Sequence, residues 1–174
     1  MTYDNQQKQT ATDFIKYVEP ILKDKFNMRG EYLIVEGTIS NKLASYLDML
    51  CGIDVWYINE TKNGIRGIAS RIQHNFNYRT FTIRAKTEYI KRAYAIDKNY
   101  IYPYYTLQAY IKNDKLLLMA LAKTEDIINM CFNKWCDFNF NSIDGNPFYI
   151  VNWDDMLKHD KNVVIYTADQ SDSP

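Results

Sequence analysis

The sequence predicts a mixed α/β (α+β) fold, a central mixed β-sheet flanked by helices. Three observations carry that reading. Short runs rich in β-branched and aromatic residues, such as YLIVEGT at 32–38 and YRTFTIR at 78–84, alternate with segments whose apolar residues recur at helical spacing. Two turn dipeptides, Asn63-Gly64 and Asn113-Asp114, sit between strand-like runs where hairpin turns belong. No Gly/Ser linker, low-complexity block or internal repeat divides the 174 residues, so a single domain spans 1–174.

The elements follow in order. Phe14, Ile15, Val18, Ile21, Leu22 and Phe26 place an amphipathic helix over 10–27 that kinks or restarts near Pro20, and Arg29-Gly30 ends it. A strand at 32–38 leads to Ser40, the N-cap of a short helix over 41–50 that runs up to Cys51-Gly52. A hairpin with strands near 53–60 and 65–73 precedes a third strand at 78–84, and Thr87 caps a helix with Glu88 in its first turn, where the helix dipole favours an anion. Residues 100–111 alternate Tyr100, Tyr102, Tyr104, Thr106, Gln108 and Tyr110 on one face, then turn at Asn113-Asp114 into the strand KLLLMALAKT. Thr124, with Glu125 and Asp126 behind it, caps a helix to about Trp135. A polar loop FNFNSIDGNP, a strand FYIVNW, a helical turn DDMLKHD and an edge strand within NVVIYTADQSDSP complete the chain.

Composition narrows the function classes. At 47% hydrophobic the chain can bury a substantial core, and 21 Lys and Arg balance 21 Asp and Glu, so any nucleic-acid surface has to be a local patch. No apolar run is long enough to cross a membrane, and the polar start MTYDNQQKQTATD lacks the plan of a signal peptide, so a cytoplasmic protein without membrane contact is expected. Cys51, Cys131 and Cys136 are an odd set, expected as packing thiols, since only His74 and His159 are present to complete a zinc site. The abundance of Asn, Lys, Ile and Tyr is what an AT-rich gene gives, as bacteriophage and low-GC bacterial genes often do. No Gly-rich phosphate loop, G-x-S-x-G elbow, H-E-x-x-H helix or Cys-His nucleophile is present.

The chemistry concentrates in the hairpin GIDVWYINETKNGIRGIASRIQ, 52–73. With Asn63 and Gly64 at the centre of a type I′ turn, Lys62 pairs with Ile65, and the register carries Asp54 to Gln73 and Trp56 to Arg71. A carboxylate, an amide and a guanidinium then share one face, while Val55, Tyr57, Ser70 and Ile72 face the core. Two readings stay open: a diagonal Asp54–Arg71 ion pair on a solvated face, or a metal and phosphate site. Arg66, Arg71, Arg79, Arg84, Lys86, Lys91 and Arg92 concentrate between 62 and 98, as a phosphate-contacting surface or as solvated faces. The tyrosine stripe likewise reads as a stacking surface or as ordinary strand formers.

Asp48-x-x-x-Gly52-Ile53-Asp54 ahead of a strand, a second strand ending Ser70-Arg71-Ile72-Gln73, then TFTIR and a helix starting Thr87-Glu88, resembles the core of the PD-(D/E)XK restriction-endonuclease-like superfamily over about residues 45 to 112. The resemblance implies a restriction-endonuclease-like core in which Asp54 matches the metal-binding aspartate and Gln73 stands where a Glu is usual, with Asn75 in place of the Lys. Members of that superfamily move the acid or lysine to the following helix, so it implies Glu88 as second carboxylate, Mg²⁺ held by Asp54 and Glu88, and Arg71 at the phosphate. Arg84, Lys86, Lys91 and Arg92 would contact DNA. The function so implied is a DNA-binding protein acting as a metal-dependent nuclease on phosphodiester bonds. The alternative is a noncatalytic phage or mobile-element protein that binds and inhibits a host protein, which the absent Glu-x-Lys and zero net charge favour. A small structural or assembly protein of a virion is a third expectation.

Overall fold

A computed structural model describes residues 3–35, 51–59, 64–75 and 78–168. Helix α1 (Tyr3–Asp13) runs through a π-helical turn (Phe14–Val18) into α2 (Glu19–Asp24). The restart expected at Pro20 is present: Pro20 lies in the first turn of α2, where a missing N–H is tolerated, and the π turn stands immediately before it. Phe14, Val18 and Leu22 recur every fourth residue and are buried, so one stripe of this arm packs on the sheet. Arg29-Gly30 does not end the arm. The helix stops at Asp24, and the Met28 N–H donates back to the Leu22 carbonyl at 2.9 Å past Asn27, whose φ of 54° is the left-handed conformation that asparagine tolerates. Gly30 is required instead by close approach, because a Cβ there would stand 2.0 Å from the Ile58 carbonyl oxygen.

The strands are β1 (Glu31–Ile34), β2 (Val55–Asn59), β3 (Gly64–Gln73), β4 (Thr80–Arg84), β5 (Tyr105–Lys112), β6 (Lys115–Lys123), β7 (Asp137–Phe140), β8 (Pro147–Asn152) and β9 (Val163–Thr167). Six form a mixed sheet in the order β1-β2-β3-β5-β6-β9, and three form a second sheet, β4-β8-β7. Within the large sheet β3 and β5 are parallel and the other neighbours antiparallel. A parallel neighbour needs a crossover, and the chain between β3 and β5 makes it through β4, a π-helical turn (Ala85–Tyr89) and α3 (Ile90–Asp97). The remaining helices among the described residues are α4 (Thr124–Phe132) and α5 (Trp153–Lys158).

The large sheet is covered on both faces. Leu107, Ala109, Ile111, Met119 and Leu121 meet Phe14, Val18 and Leu22 of the helical arm on one side. Leu118, Ala120 and Ala122 meet Phe81 and Ile83 of β4, Val151 of β8, and Ile127, Met130 and Trp153 on the other. The mixed α/β class expected from sequence is therefore the architecture found, as a helical layer, a six-stranded sheet, and a third layer of small sheet and helices.

Several expectations are corrected. TFTIR joins the second sheet, paired with β8, instead of extending the hairpin, because its buried Phe81 and Ile83 close over the large sheet's second face. Part of the loop FNFNSIDGNP is the strand β7, whose Phe138 and Phe140 alternate as in a strand although all four of its residues are exposed. The tyrosine stripe is not a continuous strand face: β5 begins at Tyr105, beyond Pro103, and its Thr106 and Gln108 are buried. Thr124 is the first residue of α4, with Lys123 at the N-cap, and Arg84 instead of Thr87 stands at the N-cap of the segment carrying Glu88. The helix expected over 41–50, its cap Ser40, and Lys62 and Asn63 of the turn lie outside the described residues. The edge strand expected near the C-terminus is β9, paired with β6.

Candidate functional site

The β2–β3 register differs from the one expected. Asn59 pairs with Gly64, Trp56 with Gly67 and Val55 with Ile68, so Gly64 is a strand residue. Carried one residue further, this sets Asp54 beside Ala69 and moves Gln73 about 13 Å along β3, where it pairs with Tyr110 of β5. The Asp54–Gln73 and Trp56–Arg71 pairs are not formed. The shift is by an even number of residues, so the alternation of faces survives it: Asp54 and Arg71 still lie on one side of the sheet. Gly67 belongs to this register, since a Cβ there would stand 2.6 Å from Cδ1 of the buried Ile53.

Asp54 sits where the chain enters β2. Its backbone N–H donates to the Ile68 carbonyl at 3.0 Å, its carbonyl accepts from the Val35 N–H at 2.8 Å, and its carboxylate accepts from the Ser70 N–H at 2.5 Å. Arg71 pairs with Gln108 of the parallel β5. Across from these strands α3 brings Arg92, whose Nη2 would lie 3.8 Å from a Cβ on Gly52. Gly52 has φ of 64°, a left-handed conformation that suits glycine and turns the chain around this guanidinium into β2. Burial holds the Arg92 pKa below its ordinary value; the Glu88 and Asp54 carboxylates oppose that, and Arg71 adds to it. Four residues singled out from sequence, Asp54, Arg71, Glu88 and Arg92, are thus brought into one electrostatic cluster of two acids and two guanidinium groups.

The other expected residues are dispersed. Glu88 also accepts the Arg84 N–H at 3.2 Å, the helix-terminal role that its position allowed. Arg84, Lys86 and Lys91 are exposed around the same helical segment. Arg66 instead lies by β5, its Nη1 donating to the Tyr105 hydroxyl at 3.0 Å and its guanidinium 4.1 Å from the Tyr104 ring centre. Arg79 pairs with Asp154 at 3.2 Å.

Mg²⁺ favours near-octahedral oxygen coordination with one or two carboxylates. Among the described residues no three His, Cys, Asp or Glu side chains gather where they could hold a metal ion. The position beside Asp54 is occupied by Ala69, Glu88 accepts the Arg84 N–H at a helix N-terminus, and the Arg92 guanidinium lies against the neighbouring Gly52. These donors do not fit the Mg²⁺ site that the resemblance implies; their chemistry suits an anion.

Sequence patterning does not single out the groove next to this cluster. An open pocket of about 620 Å³ is lined by Cys51, Lys91, Tyr94 and Tyr100 among others. The signal was the i, i+3 spacing of Lys91 and Tyr94 on one face of α3, which lies beside the face carrying Arg92. Comparison with protein-family models, with curated proteins and with solved structures finds no match for this chain. Among the described residues no helix is long and apolar enough to cross a membrane.

Proposed function

We propose that the chain is a DNA-binding protein on a restriction-endonuclease-like core, which holds the phosphodiester backbone with Arg71 and Arg92 instead of hydrolysing it through a carboxylate-bound metal. One observation carries the reading: the Arg92 guanidinium lies against Gly52 at the entrance to β2, its Nη2 3.8 Å from a Cβ position there, on the side of the sheet that carries Asp54 and Arg71, where the resemblance expects the reacting phosphate. The succession of a leading helical arm, Asp54 at a strand start, an adjacent strand and a following helix supports it. The Asp54 and Glu88 charges oppose the cost of desolvating Arg92, while Lys86 and Lys91 extend positive charge over the exposed surface. For a chain of zero net charge this is the local patch that DNA binding requires.

The test is fluorescence anisotropy with labelled DNA in EDTA, alongside plasmid cleavage in Mg²⁺ or Mn²⁺. Binding in EDTA, weakened about tenfold by Arg71→Ala, is expected. Binding unchanged in Arg71→Ala and Arg92→Ala would overturn the reading, and metal-dependent cleavage lost in Asp54→Asn, which keeps an acceptor for the Ser70 N–H, would restore the nuclease.

A second reading, a noncatalytic protein that binds a host protein, is favoured by the outer end of the small sheet. There Phe138, Phe140 and Ile143 are 51%, 61% and 94% exposed on and beside the edge strand β7. It predicts a stoichiometric complex that Phe138→Ser/Phe140→Ser abolishes while DNA binding is absent from the parent chain.

A further inference from the structure

We infer that the pocket beside Arg92 receives unpaired bases of single-stranded DNA; this rests on the DNA-binding reading and specifies the strand it takes. The pocket, about 620 Å³, is formed by Lys91 and Tyr94 of α3, by Asn99, Tyr100 and Ile101 after it, and by Cys51. Cys51 precedes Gly52, whose Cβ position lies 3.8 Å from Arg92 Nη2, and Lys91 precedes Arg92, so the pocket wall is built from the immediate chain neighbours of that contact. Base-binding groove and phosphate-binding cluster are therefore contiguous.

The aromatic groups are held ready. Tyr94 and Tyr100 have ring centres 6.0 Å apart at 67°, an edge-to-face pair, and are 55% and 60% exposed. Backbone bonds fix that arrangement: Lys98 N–H donates to the Tyr94 carbonyl at 3.0 Å, Asn99 takes φ of 55°, and Tyr100 N–H donates back to the Ala95 carbonyl at 2.8 Å. Tyr100 is thereby folded over the end of α3 beside Tyr94 before any ligand arrives, which lowers the ordering cost of binding. Ile101, 59% exposed, extends the apolar surface, and the exposed Lys91 ammonium supplies the phosphate contact. Ring faces, an aliphatic wall and a cation together match a nucleotide: the base stacks, the phosphate pairs. In a duplex the base faces are already stacked on one another, so this surface selects unpaired strands.

The experiment compares anisotropy of labelled oligo(dT) of about 12 nucleotides with that of a blunt hairpin duplex, for the full chain and its variants. Tighter binding of oligo(dT) is expected, with Tyr94→Ala and Tyr100→Ala each weakening it about tenfold, Tyr100→Phe keeping it, and duplex affinity unmoved. Both rings are exposed, and circular dichroism checks that the alanine variants stay folded. Equal oligo(dT) affinity in Tyr94→Ala, Tyr100→Ala and the parent, or preference for duplex, would overturn the pocket assignment while leaving DNA binding intact. Failure of the parent to bind either DNA would overturn both readings.

Discussion

The Asp54 carboxylate accepts the Ser70 backbone N–H at 2.5 Å, joining the start of β2 to β3 across 16 residues of chain. The same residue's main chain bonds to Val35 and Ile68, and its charge faces the desolvated Arg92. Asp54→Ala leaves a strand N–H without its acceptor and removes one of the acids that offset Arg92, so an unfolding free-energy loss of about 2–4 kcal/mol is expected in urea titrations. Asp54→Asn keeps an acceptor and loses less. Ser70→Ala keeps the N–H and deletes a buried hydroxyl that has no hydrogen-bond partner among the described residues, and is expected to be neutral or slightly stabilising. Equal losses in Asp54→Ala and Asp54→Asn would show that charge alone matters at this position.

Gly67 and Ile53 form a steric couple. A Cβ on Gly67 would stand 2.6 Å from Cδ1 and 2.7 Å from Cγ1 of Ile53, which is fully buried, so Gly67→Ala overpacks the junction at about 1–3 kcal/mol. Ile53→Val removes the nearest of these atoms. In the Ile53→Val background Gly67→Ala is expected to cost about 1 kcal/mol less than in the parent; strict additivity would contradict the contact. Gly30→Ala differs in kind, because its clash is with a backbone oxygen at 2.0 Å and no side-chain trimming relieves it.

What was legible in the sequence follows from the range of the forces involved. The β5–β6 hairpin is local: Asn113 and Asp114 both take positive φ, 50° and 55°, the type I′ geometry their residue types favour. Asn63-Gly64 carries an equally strong local signal, yet Gly64 pairs within the strand, in a register compatible with the contact between Ile53 and a missing Cβ on Gly67. Such a long-range fit leaves no trace in dipeptide chemistry. The destination of β4 is decided by β8, far along the chain, and cannot be read from TFTIR itself. The site survived the wrong register in part because an even shift conserves the face: Asp54, Arg71, Glu88 and Arg92 still converge. Gln73, whose place depended on the register itself, does not join them.

Thr124 illustrates a polar group diverted from its local role. Expected as a helix cap, it lies in the first turn of α4, fully buried, with its hydroxyl 2.8 Å from that of Thr106 on β5. Thr106→Val or Thr124→Val alone leaves the opposite hydroxyl without this bond and is expected to cost about 1–3 kcal/mol, whereas the double variant approaches the parent. A double-mutant cycle by denaturant unfolding reads the coupling directly; a double variant at the sum of the two single losses would show that each hydroxyl is satisfied elsewhere.

Tyr32 sets an alkaline limit on stability. Its hydroxyl donates to the Met28 carbonyl at 2.8 Å, and its ring packs 5.8 Å from Phe14 and 5.3 Å from Tyr57. Burial first, then the neighbouring Tyr57 and Glu19, raises its pKa well above the ordinary 10.0. The folded chain therefore keeps a proton that the unfolded chain releases: the contribution is complete below about pH 10 and is lost as pH rises beyond it. Tyr89, Tyr102 and Tyr149 are pushed up by burial as well and add to the fall. Tyr32→Phe gives up a hydrogen bond, about 1 kcal/mol at neutral pH, but cannot ionise. Urea denaturation at about pH 7 to 11 should show the variant's stability declining less steeply, so that its curve converges on the parent's at the alkaline end. Parallel curves over the whole range would mean that Tyr32 ionises as readily in the folded chain as in the unfolded one.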